Sequence, residues 1–322
     1  MQKKRFFNPH AKILRKSAVD LFLWKTGFYG GKTFKKPPDG FKYPQKEQNF
    51  VSEKDSALWI NHSSFLIKTK KATFLTDPFF SKCCSPISFL GPKRKHKPAL
   101  TIEDLPKIDY ILISHNHYDH LDKKSLKKII SLNPKVKIIV PQNNKKMFSK
   151  RWLQSTGYKA KKNVFELNWW ENIKFDENIK ITSVPAQHFS GRIIFDFNKT
   201  LWCGYVVEIS ENNPQKEKTT KKFYFCGDSG YNEYDFRKIG KKFEKIDLAI
   251  IPIGTYAPRW FMKPIHLNPK ESVKVHVDVN SKMSIGMHYK TFCLSDEPMD
   301  LPPYELYLAM KEQQLQQFPK LF

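Results

Sequence analysis

Short apolar runs recur from residue 57 onward, bounded by Gly, Pro, Asn or Asp, and several are followed by stretches with apolar residues at every third or fourth position. Runs rich in Ile, Val, Leu and Phe read as strands, and the three-to-four spacing reads as helices with one apolar face. The pattern predicts strands over 58–68, 72–75, 110–113, 136–140, 179–184, 201–209, 222–226 and 248–253, and helices over 123–131, 143–155, 234–243 and 269–279. The polar segment 211–222, ENNPQKEKTTKK, predicts a hairpin loop between two strands. Strands interleaved with helices, with no repeat and no clean linker, predict one α/β domain over 51–322. Residues 1–50 mix basic, aromatic, Gly and Pro residues without a sustained period, which predicts a partly extended basic arm outside that domain.

The most informative stretch is 109–122, DYILISHNHYDHLD. Its apolar run ends at Ser114, and His115, His117, Asp119 and His120 follow at once. Histidines at i and i+2 point to one side of an extended chain, and a tight turn brings Asp119 and His120 to a second point nearby. That offers two neighbouring metal positions, an imidazole pair at one and a carboxylate with an imidazole at the other. Such donors suit Zn²⁺, with Fe or Mn as alternatives. Three of the ten histidines within six positions make a chance polar loop a poor account.

Further donors stand in matching places: His188 after ITSVPAQ, Asp228 after FYFCG and His288 after MSIGM. Each follows an apolar run, so all would gather along one rim. Gly227 and Gly230 permit a sharp turn around Asp228. Asp228 is the natural bridge, because a carboxylate can give one oxygen to each of two cations. Asp77, in LTDP, is a candidate hydrogen-bond partner for a ligating histidine, and His62, in INHSS, is either another or simple packing. Cys226 reads as a buried thiol.

With these residues in hand, the chain resembles the metallo-β-lactamase fold family, and within it the N-acylphosphatidylethanolamine-hydrolysing phospholipase D group. The resemblance runs through LTDPFFSKCCSPISFLGPKR, ISHNHYDHLD, ELNWWE, PAQH, FCGDSGY, IPIGTYAPRWFMKPIHLNP and MHYKTF, covering most of 57–305 and leaving the arm unmatched. It implies a four-layer αββα sandwich, of α/β class, with the metal site on one edge. It implies two Zn²⁺ (or Fe or Mn): His115, His117 and His188 on one, Asp119, His120 and His288 on the other, with Asp228 between them. Asp119 would orient the nucleophile or carry its proton, and His266, in PIHLNP, would bind phosphate or protonate the leaving group. Asn61 replaces the group's usual Gly, Ser229 its usual Thr, and the loop CLSDEP after MHYKTF differs more.

Two cations about 3.5–4 Å apart can share a water and lower its pKa toward about 7, so no Ser or Cys nucleophile is required. The resemblance implies that this hydroxide attacks a phospholipid of the N-acylphosphatidylethanolamine type in a phospholipase D reaction. A phosphorylated-lactone hydrolase or a metal-dependent nuclease on the same fold is the alternative. No Cys follows His188 where a β-lactamase would place a ligand, which disfavours β-lactam hydrolysis.

Composition adds a partner. The chain has 322 residues and is 40% hydrophobic, enough for a real core, and no apolar run approaches a membrane span. The N-terminus lacks a convincing cleavage site, so no signal peptide is expected. Five cysteines at scattered spacings suggest reduced thiols. The expected location is cytoplasmic, or peripheral on the cytoplasmic face of a membrane. Of the net +25, +9 lies in 1–50 and +12 in 121–162. Charge of that size wants an anionic partner. Charge alone does not choose the anion; the metal ligands and the phospholipid substrate that the resemblance implies favour an anionic membrane over nucleic acid, for which no RNA-reading motif is visible. Family members can be dimers, so a homodimer is a further expectation.

Overall fold

Alternation along buried strands decides the architecture. Tyr110 and Leu112 belong to one apolar cluster, and Ile111 and Ile113 to another. A strand whose two faces are both covered reads as a continuous apolar run, which is why YILI shows no polar partner positions. The computed structural model describes residues 5–11, 17–28, 34–41, 55–87, 89–193, 195–213 and 216–313. One six-stranded sheet runs in the order β1 (Ser56–Asn61), β2 (Ser64–Lys68), β3 (Thr73–Thr76), β4 (Tyr110–Leu112), β5 (Lys137–Pro141), β6 (Val164–Leu167). The other holds β7 (Asn172–Lys174), β8 (Ile179–Val184), β9 (Gly204–Asn213), β10 (Lys216–Phe225), β11 (Leu248–Pro252) and β12 (Ser284–Met287), again in chain order. Each sheet begins antiparallel and becomes parallel, from β3 onward in the first and from β10 onward in the second.

The helices are α1 (Ala18–Lys25), α2 (Lys123–Leu132), α3 (Lys150–Leu153), α4 (Ala160–Asn163), α5 (Glu233–Phe243), α6 (Arg259–Met262), α7 (Pro269–Asp278) and α8 (Leu301–Glu312). Phe65, Phe74 and Leu112 of the first sheet share a cluster with Tyr205, Val207 and Phe225 of the second. On the outer side of the first sheet, α2 buries Leu126, Ile129 and Ile130 against Ile111 and Ile138. Each such side chain contributes about 1.5–3 kcal/mol. Phe236, Ile239 and Val275 of α5 and α7 join the cluster of the second sheet. The result is the layering expected of an αββα sandwich.

Three predicted elements differ. The run 58–68 is a hairpin, because Asn61 pairs with Ser64 and His62 turns the chain at φ 47°. The helix over 143–155 is broken into 3-10 turns at Lys145–Met147 and Gln154–Thr156 around α3. Asn143 starts it in the left-handed region at φ 67°, and the Asn144 amide donates to the Pro141 and Leu201 carbonyls instead of capping a longer helix. Most of 211–222 is strand, since β9 and β10 extend their ladder outward through Thr219 and Thr220. Backbone pairing there proceeds without an apolar pattern to announce it.

Candidate metal centre

The strands of both sheets end at one edge, and the loops beyond them carry the polar residues. The β4–α2 loop holds His115, His117, Asp119 and His120; His188 follows β8, Asp228 follows β10 and His288 follows β12. The loop is tied to the second sheet: Tyr205 Oη donates to Ile113 O at 2.9 Å and Cys203 N to Ser114 O at 2.9 Å. Gly227 turns at φ +64°, and a Cβ there would meet Cys203 O and Ser114 Cβ at 2.8 Å. Only glycine lets the chain cross so close to the loop and deliver Asp228 inward.

Two groups of donors face each other across Asp228. In the first, His117 Nδ1 lies 2.8 Å from His115 Nε2 and 3.2 Å from His188 Nε2. In the second, Asp119 Oδ2 lies 3.4 Å from both His120 Nε2 and His288 Nε2. Asp228 Oδ2 stands 3.1 Å from His120 and His288, 3.9 Å from His115 and 3.8 Å from His188. All the metal-ligand candidates read from the sequence therefore converge. His266 joins them, its Nδ1 3.9 Å from Asp228 Oδ2.

The chemistry of this set fits metal. His266 Nδ1 and Asp228 Oδ1 are buried and hydrogen-bonded to nothing among the described residues, and His120 Nε2 and His288 Nε2 face the carboxylates of Asp119 and Asp228. Leaving buried polar atoms unsatisfied costs about 1–3 kcal/mol each unless a cation takes them. The opposite ring nitrogens are held: His120 Nδ1–H donates to Asp77 Oδ2 at 2.6 Å, and His188 Nδ1–H to Ile265 O at 2.9 Å. Thr255 Oγ1 meets His288 Nδ1 at 3.0 Å, and Ser114 Oγ meets His115 Nδ1 at 2.9 Å. An oxygen behind each of these four imidazoles fixes its orientation and aims the other nitrogen at the centre.

Charge is distributed unevenly between the groups. Burial, reinforced by neighbouring histidines, pushes His115 well below the ordinary histidine range and His117 down to about 3. Burial also takes His188 down to about 4 despite the pull of Asp228. In the second group burial acts the same way, but Asp228 and Asp119 overcome it: His288 is raised to about 9 and His120 well above its usual value. Both carboxylates resist burial through those same histidines and stay far below the usual range.

Several supporting residues had faint signals in the sequence or none. His62, one of the two residues left open there, places Nε2 3.1 Å from Asp119 Oδ2 and packs its ring, tilted at 43°, 4.1 Å from the His288 ring. Asp77 gathers Ser114 N at 2.7 Å, Ser114 Oγ at 2.5 Å and His120 at 2.6 Å. Glu297 was not foreseen; it accepts from the Thr255 and Ala257 N–H groups at 2.6 and 2.9 Å and so holds the loop that braces His288. Asp77→Asn is expected to weaken metal binding by about 10–100-fold, the usual effect of losing a carboxylate behind a ligating histidine. A chelator-competition titration checks this, and an unchanged affinity would rule out the bracing role.

A family model described as the Beta-lactamase superfamily domain matches residues 72–289. The N-acyl-phosphatidylethanolamine-hydrolyzing phospholipase D 1 of Caenorhabditis elegans is 42% identical over 252 residues, covering 77% of this chain and 67% of that protein. The mitochondrial N-acyl-phosphatidylethanolamine-hydrolyzing phospholipase D of Saccharomyces cerevisiae is 36% identical over 243 residues, covering 74% of this chain and 48% of its own. The chain thus spans about two thirds of the nematode relative and about half of the yeast one. Among solved structures, a possible metal-dependent hydrolase from Veillonella parvula superposes with a TM-score of 0.60 at 18% identity, over 84% of this chain and 95% of that one. Sequence, fold and donor set agree: the chain is a metal-dependent hydrolase and belongs to the β-lactamase superfamily, in the branch of the N-acylphosphatidylethanolamine-hydrolysing phospholipases D.

Proposed function

We propose that the protein is a dinuclear zinc phosphodiesterase that cleaves a glycerophospholipid of the N-acylphosphatidylethanolamine type on the head-group side of phosphorus. The observation that carries the two-metal reading is Asp228, whose Oδ2 lies within 3.9 Å of donors in both groups while Oδ1 has no hydrogen-bond partner among the described residues. His115, His117 and His188 would hold one cation, Asp119, His120 and His288 the other, and Asp228 both. The bound pair would supply an acidified water as nucleophile and positive charge against the phosphate oxygens.

The remaining work falls to side chains. Asp119 stays ionised, because His120, His288 and His62 offset the cost of its burial, so it accepts a hydrogen bond from the attacking water and orients it. Burial keeps His266 well below the histidine range, hence neutral at pH 7. A neutral imidazole donates an N–H to a phosphate oxygen more readily than it delivers a proton, so phosphate binding is the better of its two roles.

The lipid substrate is supported by the names of the nematode and yeast relatives. The surface suits it. A cleft of about 700 Å³ beside the metal-loop residue Tyr118 is lined by Lys82, Lys123 and Lys124, cations fit for an acidic interface. Val19 and Phe22 of α1 and the loop residues Phe89 and Phe195 are exposed apolar side chains that suit a bilayer's interfacial zone. Among the described residues no helix is long and apolar enough to cross a membrane. We assign the chain to the anionic face of a membrane as a peripheral enzyme, with each Lys or Arg at that surface worth about 1 kcal/mol.

A substrate panel tests the assignment: N-acylphosphatidylethanolamine in vesicles, an aryl phosphodiester, short RNA and a phosphorylated lactone, each with zinc-loaded protein. The lipid is expected to be cleaved to phosphatidic acid and N-acylethanolamine, with activity lost on chelation and restored by zinc. His117→Ala should lose one metal equivalent by elemental analysis. Preferential cleavage of RNA or of the lactone would overturn the lipid reading while leaving the metal centre intact.

A further inference from the structure

We propose that the N-terminal segment 5–11 is a working part of the metal centre, with Asn8 as a positioning residue for His188. The proposal rests on the reading of His188 as a ligand. Strand β8 ends at Val184, so by residue 188 the backbone has no strand neighbour to take its N–H and C=O. A single carboxamide takes both: Asn8 Nδ2 donates to His188 O at 2.8 Å, and His188 N donates to Asn8 Oδ1 at 3.1 Å. This pair joins residues 180 apart in the chain. Together with the Nδ1–H bond to Ile265 O, it restrains His188 at the backbone and at the ring, leaving Nε2 directed at the centre.

The segment is anchored on both sides of Asn8. Before it, Phe6 N donates to Asn198 O at 2.9 Å and Arg5 Nη1 to Phe197 O at 2.5 Å, fixing it to the loop that follows His188. After it, His10 packs its ring, tilted at 42°, 3.9 Å from the Tyr234 ring and reaches Asp235 at 3.7 Å, both in α5, the helix that follows Asp228. The strap therefore spans from the His188 loop to the element behind Asp228, with Asn8 midway over the ligand. Further along the arm, Trp24 packs 4.8 Å from Phe261 in a cluster that includes Phe189, the residue after His188. A side chain that fixes a ligand's backbone from outside acts as the groups behind ligating histidines do, and its loss is expected to weaken metal binding by about 10–100-fold. Coupling is reciprocal, so metal must tighten the docking of 5–11 by the same factor.

The test uses the full chain, with zinc as the probe. In competition with a chromophoric chelator, the unmodified protein is expected to take two equivalents. Asn8→Ala should weaken one of them by about 10–100-fold and leave the other in place. The metal-free melting midpoint should fall by no more than a few degrees, where a general loss of structure would abolish the transition. Hydrogen exchange gives a second readout that does not depend on Asn8→Ala: in the unmodified protein zinc should slow the amides of 5–11, and His188→Ala should abolish that slowing. The proposal is overturned if Asn8→Ala binds both equivalents as tightly as the unmodified chain, or if zinc leaves exchange in 5–11 unmoved. If the unmodified protein takes up fewer than two equivalents and His188→Ala does not alter uptake, the reading of the centre fails first and the strap with it.

Discussion

Asp228→Ala is expected to reduce turnover by at least about 10³-fold, the upper range for removing one electrostatic contributor from a water-excluded site, and to cost metal at both positions. The reason is position. Asp228 Oδ2 is 3.1 Å from His120 and His288, 3.8 Å from His188 and 3.9 Å from His115, so a methyl group there withdraws negative charge from both groups at once. The side chain is almost wholly buried, so solvent cannot replace it. Asp228→Asn separates charge from shape: it keeps the volume and one carbonyl oxygen but loses the second anionic oxygen needed to serve two cations. Asn should therefore retain part of the metal and little of the turnover, and Ala neither. Elemental analysis beside steady-state rates decides. Two metals and full turnover in the alanine variant would remove Asp228 as the ligand shared by the two positions.

How much of this centre was legible in advance depended on distance along the chain. His115, His117, Asp119 and His120 fall within six residues behind an apolar run, so local spacing exposed them. His188, Asp228 and His288 were readable because each closes a run that both sheets bury, and buried strands end where their loops must turn outward. Asp77 and His62 stood at strand ends and could be read as candidates, but Asn8 and Glu297 had no such marker. Asn8 meets His188 from 180 positions away, and Glu297 reaches Thr255 across 42. Nothing in a run of neighbours reports a contact of that range. The misread elements have the same origin: the left-handed turn at His62 hides inside an apolar run, and the outer ladder of β9 and β10 is polar because pairing, not burial, holds it. The described parts of the arm read as irregular because docking holds them, although the capping box of Ser17 with Asp20 at the start of α1 is a local signal.

Metal uptake should be steeply dependent on pH at one position and nearly independent at the other. In the metal-free protein, burial opposes charge on every histidine of the centre, but Asp228 and Asp119 raise His288 to about 9 and His120 well above its ordinary value. Both are protonated at pH 7. Burial leaves His115 and His117 neutral through the same range, His117 titrating only near 3 and His188 near 4. A ligating imidazole must be neutral, so filling the Asp119–His120–His288 position releases about two protons, and its affinity should rise by about 100-fold per pH unit up to about pH 9. The His115–His117–His188 position releases none and should hold its affinity down to about pH 5. The stability of the metal-free chain follows the same signs. Groups with lowered values, His117 and His188, contribute stability that is lost as pH falls from the ordinary histidine range toward 3–4. His288, with its raised value, contributes stability that is full below the ordinary range and lost as pH rises through about 9. Zinc titrations against a chelator at pH 7, 8 and 9, with proton release followed in weak buffer, measure the difference directly. Release of no protons, or equal slopes at the two positions, would mean that Asp228 and Asp119 do not hold their histidines charged, and the asymmetry between the two halves of the centre would go with it.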